Sequence, residues 1–291
     1  MTETLMSEVV PERADRAAIG ETTDLLVSPR RRRSRGARVR NVLLAVWLPI
    51  VLLAIWWFAS ASSTSPFFPP LSRILEEFWA QWLVGDAKLQ LASSLRNLAL
   101  GYLGGALIGI VFGTLLWRFP PMRRVSNPIV YFLYVLPAPA LLPAMIALFG
   151  IGELRQIALI SFGAIWPTLL NTLDGMRGID QVKFDTARAM KLSPVRQLFS
   201  LVLPGAAPQM AAGLRASLQT SIILMVVTEM VAAKQGIGYF ILQAQTVFAI
   251  TTMWTGILAL AIIGTVLNYA FVGVERLVLR WYYRSRALSN S

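Results

Sequence analysis

Apolar and polar residues fall in long blocks along this chain instead of alternating position by position. A helix needs about 20 mostly apolar residues to cross about 30 Å of hydrocarbon. Six stretches meet that requirement: 41–60, 95–117, 128–149, 157–173, 212–233 and 253–274. None of the chain shows the alternation of a membrane barrel or a repeat of fixed period. The pattern therefore predicts an all-α, polytopic membrane protein with six transmembrane helices. The first stretch follows basic residues and precedes Ala59-Ser60-Ala61, as a signal peptide would. Its apolar run exceeds the about 7–15 residues of such a peptide, which predicts a retained helix. The arginines at 30–33 read as charge anchors and not as a twin-arginine export signal.

Between the first two spans, residues 61–94 carry Pro66-Phe67-Phe68-Pro69-Pro70 and then LSRILEEFWAQWLVG. The helical spacing of its apolar positions predicts an interfacial helix on the outer surface. Residues 1–40 mix acids, Ser, Pro and an arginine run, the composition of a disordered basic tail. A short tail, 284–291, follows the last span.

Composition narrows the function. Hydrophobic side chains make up 56% of the 291 residues and charged ones 14%, with a mean hydropathy of +0.59. The chain has no Cys and no His, which removes thiolate and imidazole chemistry and leaves no expected metal site or catalytic residue. The net charge of +12 would suit nucleic acid, but the basic residues lie between apolar runs and not on one polar face. Nucleic acid is therefore not an expected partner; the lipid bilayer is. With the N-terminus inside, 22 of the 27 Lys and Arg fall in inside segments, leaving Arg73, Lys88, Arg96, Arg155 and Lys234 outside. That asymmetry predicts both termini in the cytoplasm.

Within the spans, several features combine packing with candidate chemistry. Gly101, Gly105, Gly109 and Gly113 recur every fourth residue and form a stripe that another helix can approach closely. Pro137, Pro139 and Pro143 in LPAPALLP remove three amide donors, which predicts a break near mid-membrane. Broken helices often border transport sites. Ser217, Thr220, Ser221 and Thr228 share a face beside Glu229. That face either lines a translocation pathway with Pro137, Pro139 and Pro143, or bonds neighbouring helices while Glu229 reaches the outer interface near Lys234. Asn171 and Asn268 read as interhelical hydrogen-bonding amides.

The loop between the fourth and fifth spans, about 174–211, is too strongly patterned for a plain connector. Asp180 predicts a helix cap before Gln181, with Phe184, Ala187 and Met190 on one apolar stripe. Ser193-Pro194 repeats the start signal for a second short helix ending near Leu203-Pro204. Small residues and rim charges make the pair a knob suited to a groove in another protein. An interfacial helix pair on the inner leaflet is the alternative.

Asp185, Thr186 and Ala187, then Arg188 and Lys191, then Leu203-Pro204 with Gly205-Ala206-Ala207-Pro208, resemble the EAA loop of ATP-binding-cassette (ABC) importer permeases. Thr228-Glu229-Met230 followed by Gly236-Ile237-Gly238-Tyr239 is similar to the nitrate, sulfonate and taurine branch. The resemblance spans Pro66–Tyr283 and implies a permease core over 61–283 after a first helix at 41–60. Asp185 stands where the family has Glu, and Lys191 where it has Gly. If that Gly supplies a left-handed turn, Lys191 bears strain.

The resemblance implies a permease of the bacterial inner membrane, not itself an enzyme, that imports a small anion such as a sulfonate, nitrate or organic acid. Pyrimidine thiamine precursors are an alternative solute. Phe184, Asp185, Thr186, Ala187, Arg188, Met190, Lys191, Leu203 and Pro204 are the implied coupling residues, docking into a cytoplasmic ABC ATPase. Two permease copies and an extracytoplasmic solute-binding protein complete the implied assembly. The chain has no Gly-Lys pair and so no P-loop; ATP is expected on the partner, and this chain is expected to hold no cofactor. The rivals are an ion-coupled secondary transporter, for which Glu229 is the one evident acid, a lipid-directed membrane enzyme, and a scaffold that recruits an ATPase.

Overall fold

The computed structural model describes residues 35–282, with backbone alone for 35–46 and Pro49. Residues 1–34 of the expected tail, and the segment 284–291, lie outside the described residues. The chain divides after Trp56 into two units. Helix α1, Arg35–Ser60, contains the first expected span. The remaining description concerns Trp57 onward.

Among the described residues every regular element is helical. The helices are α2 (Leu71–Phe78), α3 (Ala87–Arg118), α4 (Pro120–Val135), α5 (Leu142–Phe149), α6 (Glu153–Arg177), α7 (Gln181–Ala189), α8 (Pro194–Gln197), α9 (Leu203–Met230), α10 (Ile237–Thr246) and α11 (Ile250–Val278). Among the described residues four helices are long and apolar enough to cross a bilayer: α3, α6, the continuous helix Pro194–Met230, and α11. The pair α4–α5 makes a fifth if counted as one broken span.

The core is a three-helix layer with α6 between α3 and α9. The glycine stripe of α3 faces α6. A Cβ added at Gly101 would stand 2.7 Å from Ile160, at Gly105 2.8 Å from Ala164, at Gly109 2.8 Å from Thr168 and at Gly113 3.0 Å from Thr172. The stripe thus meets every fourth residue of α6 in register. In lipid, where water does not drive helices together, such close backbone contact supplies the dispersion energy that holds them. On its other side α6 meets α9, where a Cβ at Gly175 would stand 2.8 Å from Gln209. Tyr102 of α3 donates to the Leu214 carbonyl at 3.1 Å, and Asn97 donates to Gln156 at 2.7 Å.

The three prolines break the third span as expected. A 3₁₀ turn over Ala138–Leu141 joins α4 to α5 at a 91° bend, and Pro137, Pro139 and Pro143 are exposed on it.

One expectation is corrected, and two features go beyond the sequence reading. The second short helix of the loop does not end at Leu203-Pro204. A π turn over Leu198–Val202 shifts the hydrogen-bond ladder just before Pro204, and the helix runs on unbroken for 37 residues to Met230. The segment expected as an interfacial helix is docked on α11. It forms α2 and a π turn over Trp79–Val84, in which Trp82 donates to Thr255 of α11 at 3.2 Å and Gln81 and Glu77 bond Thr252. Finally, α10 was not expected from the sequence; its Ile237 and Ile241 bury with Trp82, Ala87 and Ala259 in one cluster.

Candidate functional site

The α6–α9 loop folds as a capped knob. Asp180 accepts from the Val182 amide at 3.0 Å, and Ser193 Oγ accepts from the Arg196 amide at 3.4 Å, so both expected caps are present. Lys191 closes α7 with a φ of +54°. Its amide donates to the Arg188 carbonyl at 2.9 Å, and the Leu192 amide donates to the Ala187 carbonyl at 3.0 Å. Those paired bonds form a Schellman closure, whose left-handed position normally falls to glycine. A lysine therefore carries here the conformation that the resemblance assigned to Gly.

The knob has two faces. Phe184 is half-buried and stacks on Trp117 of α3, with ring centroids 6.2 Å apart, while Ala187 is 4% exposed. Leu203 packs beside the buried Met176, Val202 and Ala206, and Pro204 follows half-buried at the start of α9. Asp185, Thr186, Arg188, Met190 and Lys191 are exposed, with Asp185 paired to Arg188 at 2.7 Å. Of the nine expected coupling residues, Phe184, Ala187, Leu203 and Pro204 thus seat the knob, and the other five present its surface.

At the opposite end of α9, two ionisable side chains are enclosed. Arg155 of α6 is fully buried and donates to the carbonyls of Val231 at 2.8 Å and of Thr228 and Ala232 at 3.3 Å. It caps the negative end of the α9 dipole. Glu229, 1% exposed, accepts from the Gly238 amide at 2.9 Å, at the positive start of α10. The neighbouring amides are taken too: Gly236 donates to Gln90 at 2.7 Å and Ile237 to Ser94 at 2.9 Å. Gly236, with a φ of +121°, lets the loop close on the carboxylate, since a Cβ there would stand 2.6 Å from Glu229 Oε2. Glu229 therefore neither reaches toward Lys234 nor faces an opening. It latches α9 to α10.

The hydroxyl face of α9 has the same character. Ser217, Ser221 and Thr228 have no exposure. Thr168 donates to Ser217 at 3.1 Å, and Thr228 donates to the Met225 carbonyl at 2.9 Å. Glycines at 163 and 213 bring α6 so close that these side chains are enclosed between helices, so in this conformation they border no path. The exposed prolines at the α4–α5 bend remain open to one. Asn171 bonds Pro167 and Gln209, and Asn268 accepts from Arg215, the bonding expected of both amides.

Arg155 was missed as a site residue, because a basic residue at the edge of an apolar run reads equally well as an exposed anchor. Among the described residues no group of three or more acidic, His or Cys side chains could hold a metal ion.

Residues 105–282 match the family model described as the binding-protein-dependent transport system inner membrane component. The chain belongs to that family of ABC transporter permeases. It is 31% identical over 262 residues to the taurine transport system permease protein TauC of Escherichia coli, covering 87% of this chain and 94% of that one. It is 29% identical to the putative aliphatic sulfonates transport permease protein SsuC of Bacillus subtilis, with 86% and 91% covered. The nitrate import permease protein NrtB of Synechococcus elongatus is 31% identical, with 72% and 81% covered. The fold matches a chain of the inward-facing MetNI methionine ABC transporter with a TM-score of 0.60, 21% identity, and 68% and 97% coverage.

Proposed function

We propose that this chain is the permease subunit of an ABC importer that brings a small anion, such as a sulfonate or nitrate, into the cytoplasm. It spans the membrane six times with both termini inside, and α7 is its coupling helix. Two copies form the pathway, a separate ATPase supplies the energy, and an external binding protein delivers the solute. The taurine, sulfonate and nitrate permeases among its relatives support the solute class.

The observation that carries the reading is the two-faced knob. α7 is capped at both ends and fixed by Phe184 on Trp117, yet offers Val182, Asp185, Thr186 and Met190 to a partner. A merely interfacial helix would bury its apolar stripe in lipid, without an ordered seat on the bundle. Because the chain lacks cysteine, Met190→Cys introduces a single thiol. In membranes of the native host, a benzophenone maleimide attached to that thiol and photolysed into an ATPase chain supports the proposal, since it inserts into C–H bonds and needs no partner thiol. No ATPase adduct from position 190, with normal insertion, contradicts it.

A further inference from the structure

Beneath α7 lies a groove of about 890 Å³ between the ends of α3 and α6 and the start of the Pro194–Met230 helix. Ile110, Val111 and Leu115 of α3 give it an apolar wall, and the exposed Arg118 follows about one turn further along the same helix. Eight positions separate Ile110 from Arg118, about 12 Å of helix at about 1.5 Å per residue. The wall continues outside the groove onto Leu103 and Leu107, exposed at 63% and 64% on the same stripe as Val111.

Every ionisable residue among those lining the groove is an arginine: Arg118, Arg177 and Arg188. Arg188 is neutralised by Asp185, and Arg177 stands 3.8 Å from Asp174. Arg118 lies over the Phe119 ring at 5.9 Å, and no carboxylate among the described residues pairs with it.

We propose that this groove binds one anionic phospholipid, its phosphodiester at Arg118 and Arg177 and an acyl chain along the Ile110–Leu115 wall. Three converging features select that ligand. The positive rim favours an anion over a neutral headgroup. The apolar wall, more than one helical turn long, has no use for a free phosphate. Its continuity with the exposed α3 stripe gives a lipid entry from the bilayer. Since α7 forms the roof of this groove, the lipid would brace the coupling knob. The inference goes beyond the transport reading and needs only that the chain spans a membrane, so it can fail while that reading stands.

The test uses the full chain, purified and exchanged into detergent with equal phosphatidylglycerol and phosphatidylcholine of matched acyl chains. Retained lipid is counted by native mass spectrometry. The wild type should keep phosphatidylglycerol preferentially. An Arg118→Gln, Arg177→Gln variant should lose about fivefold in that preference for each arginine engaged, with helix content unchanged. Three outcomes overturn the proposal. The wild type shows no preference, a result that needs no variant. Inorganic phosphate at millimolar concentration strips the lipid, which would make the rim a free-phosphate site. The Arg118→Gln, Arg177→Gln variant keeps the full wild-type preference, which would place the retained lipid elsewhere on the chain.

Discussion

Phe184 of α7 lies against Trp117 of α3, with ring planes inclined by only 26°. This contact joins the exposed knob to the helix whose glycines interlock with α6. On the proposed function, a displacement of α7 would pass to α3 and, through the close glycine contacts, to the centre of the bundle. Phe184→Ala should cost about 1–2 kcal/mol of stability, less than the about 3–5 kcal/mol of a fully enclosed Phe, because the ring is only half-buried. In a reconstituted complex, ATP hydrolysis should persist while solute uptake per ATP falls several-fold. Equal loss of both activities would show that the contact serves folding alone.

Lys191 offers a test in the stabilising direction. A non-glycine residue in the left-handed region costs about 1–2 kcal/mol, and Lys191 has no compensating constraint, since its side chain is exposed. Lys191→Gly should therefore raise the unfolding temperature of the detergent-solubilised protein, against which the added freedom of glycine in the unfolded chain works only in part. Lys191→Ala should have little effect.

The glycine seam makes a position-specific prediction. At Gly109 a Cβ would meet the Ile165 carbonyl at 2.7 Å, a backbone atom that moves only if the helices separate. At Gly104 the nearest atom is the Ser161 hydroxyl at 3.6 Å, ordinary contact distance. Gly109→Ala should destabilise by about 1–3 kcal/mol, as overpacking does, while Gly104→Ala stays within about 0.5 kcal/mol. Thermal unfolding followed by tryptophan fluorescence distinguishes them.

The seam was legible in the sequence because a four-residue glycine period has few other uses in an apolar helix. The caps at Asp180 and Ser193 were legible because a short polar side chain before a helical pattern acts on backbone amides two or three residues away. So was the break at Pro137, Pro139 and Pro143, where missing donors act locally. What stayed hidden depends on neighbours far along the chain. The orientation of Ser217 and Ser221 is set by how closely Gly163 and Gly213 admit α6, and sequence spacing fixes only that they share a face. The π turn before Pro204 absorbs a residue that reads as a helix stop, so one long helix looked like two. Arg155 and Glu229 are buried because each finds complementary backbone at an opposite helix end, carbonyls for one and amides for the other.

That last arrangement predicts asymmetric tolerance at Glu229. Glu229→Ala leaves the Gly238 amide buried without an acceptor and should cost about 1–3 kcal/mol. Glu229→Gln retains an acceptor oxygen and should cost less. Gly236→Ala should match or exceed the alanine variant, because it combines a φ of +121° with a clash against the carboxylate. A Glu229→Gln variant that unfolds normally but loses uptake would assign the carboxylate a transport role beyond its latch.

The central claim is that transport through this chain is driven from the α7 surface by a separate ATPase. Its most direct measurement is uptake of labelled alkanesulfonate and nitrate into proteoliposomes holding the chain with its ATPase, binding protein supplied outside. The account predicts uptake that requires ATP on the ATPase side, collapses with Met190→Glu on the exposed knob, and is indifferent to proton or sodium gradients. Uptake by the chain alone, driven by such a gradient and unaffected by Met190→Glu, would contradict it.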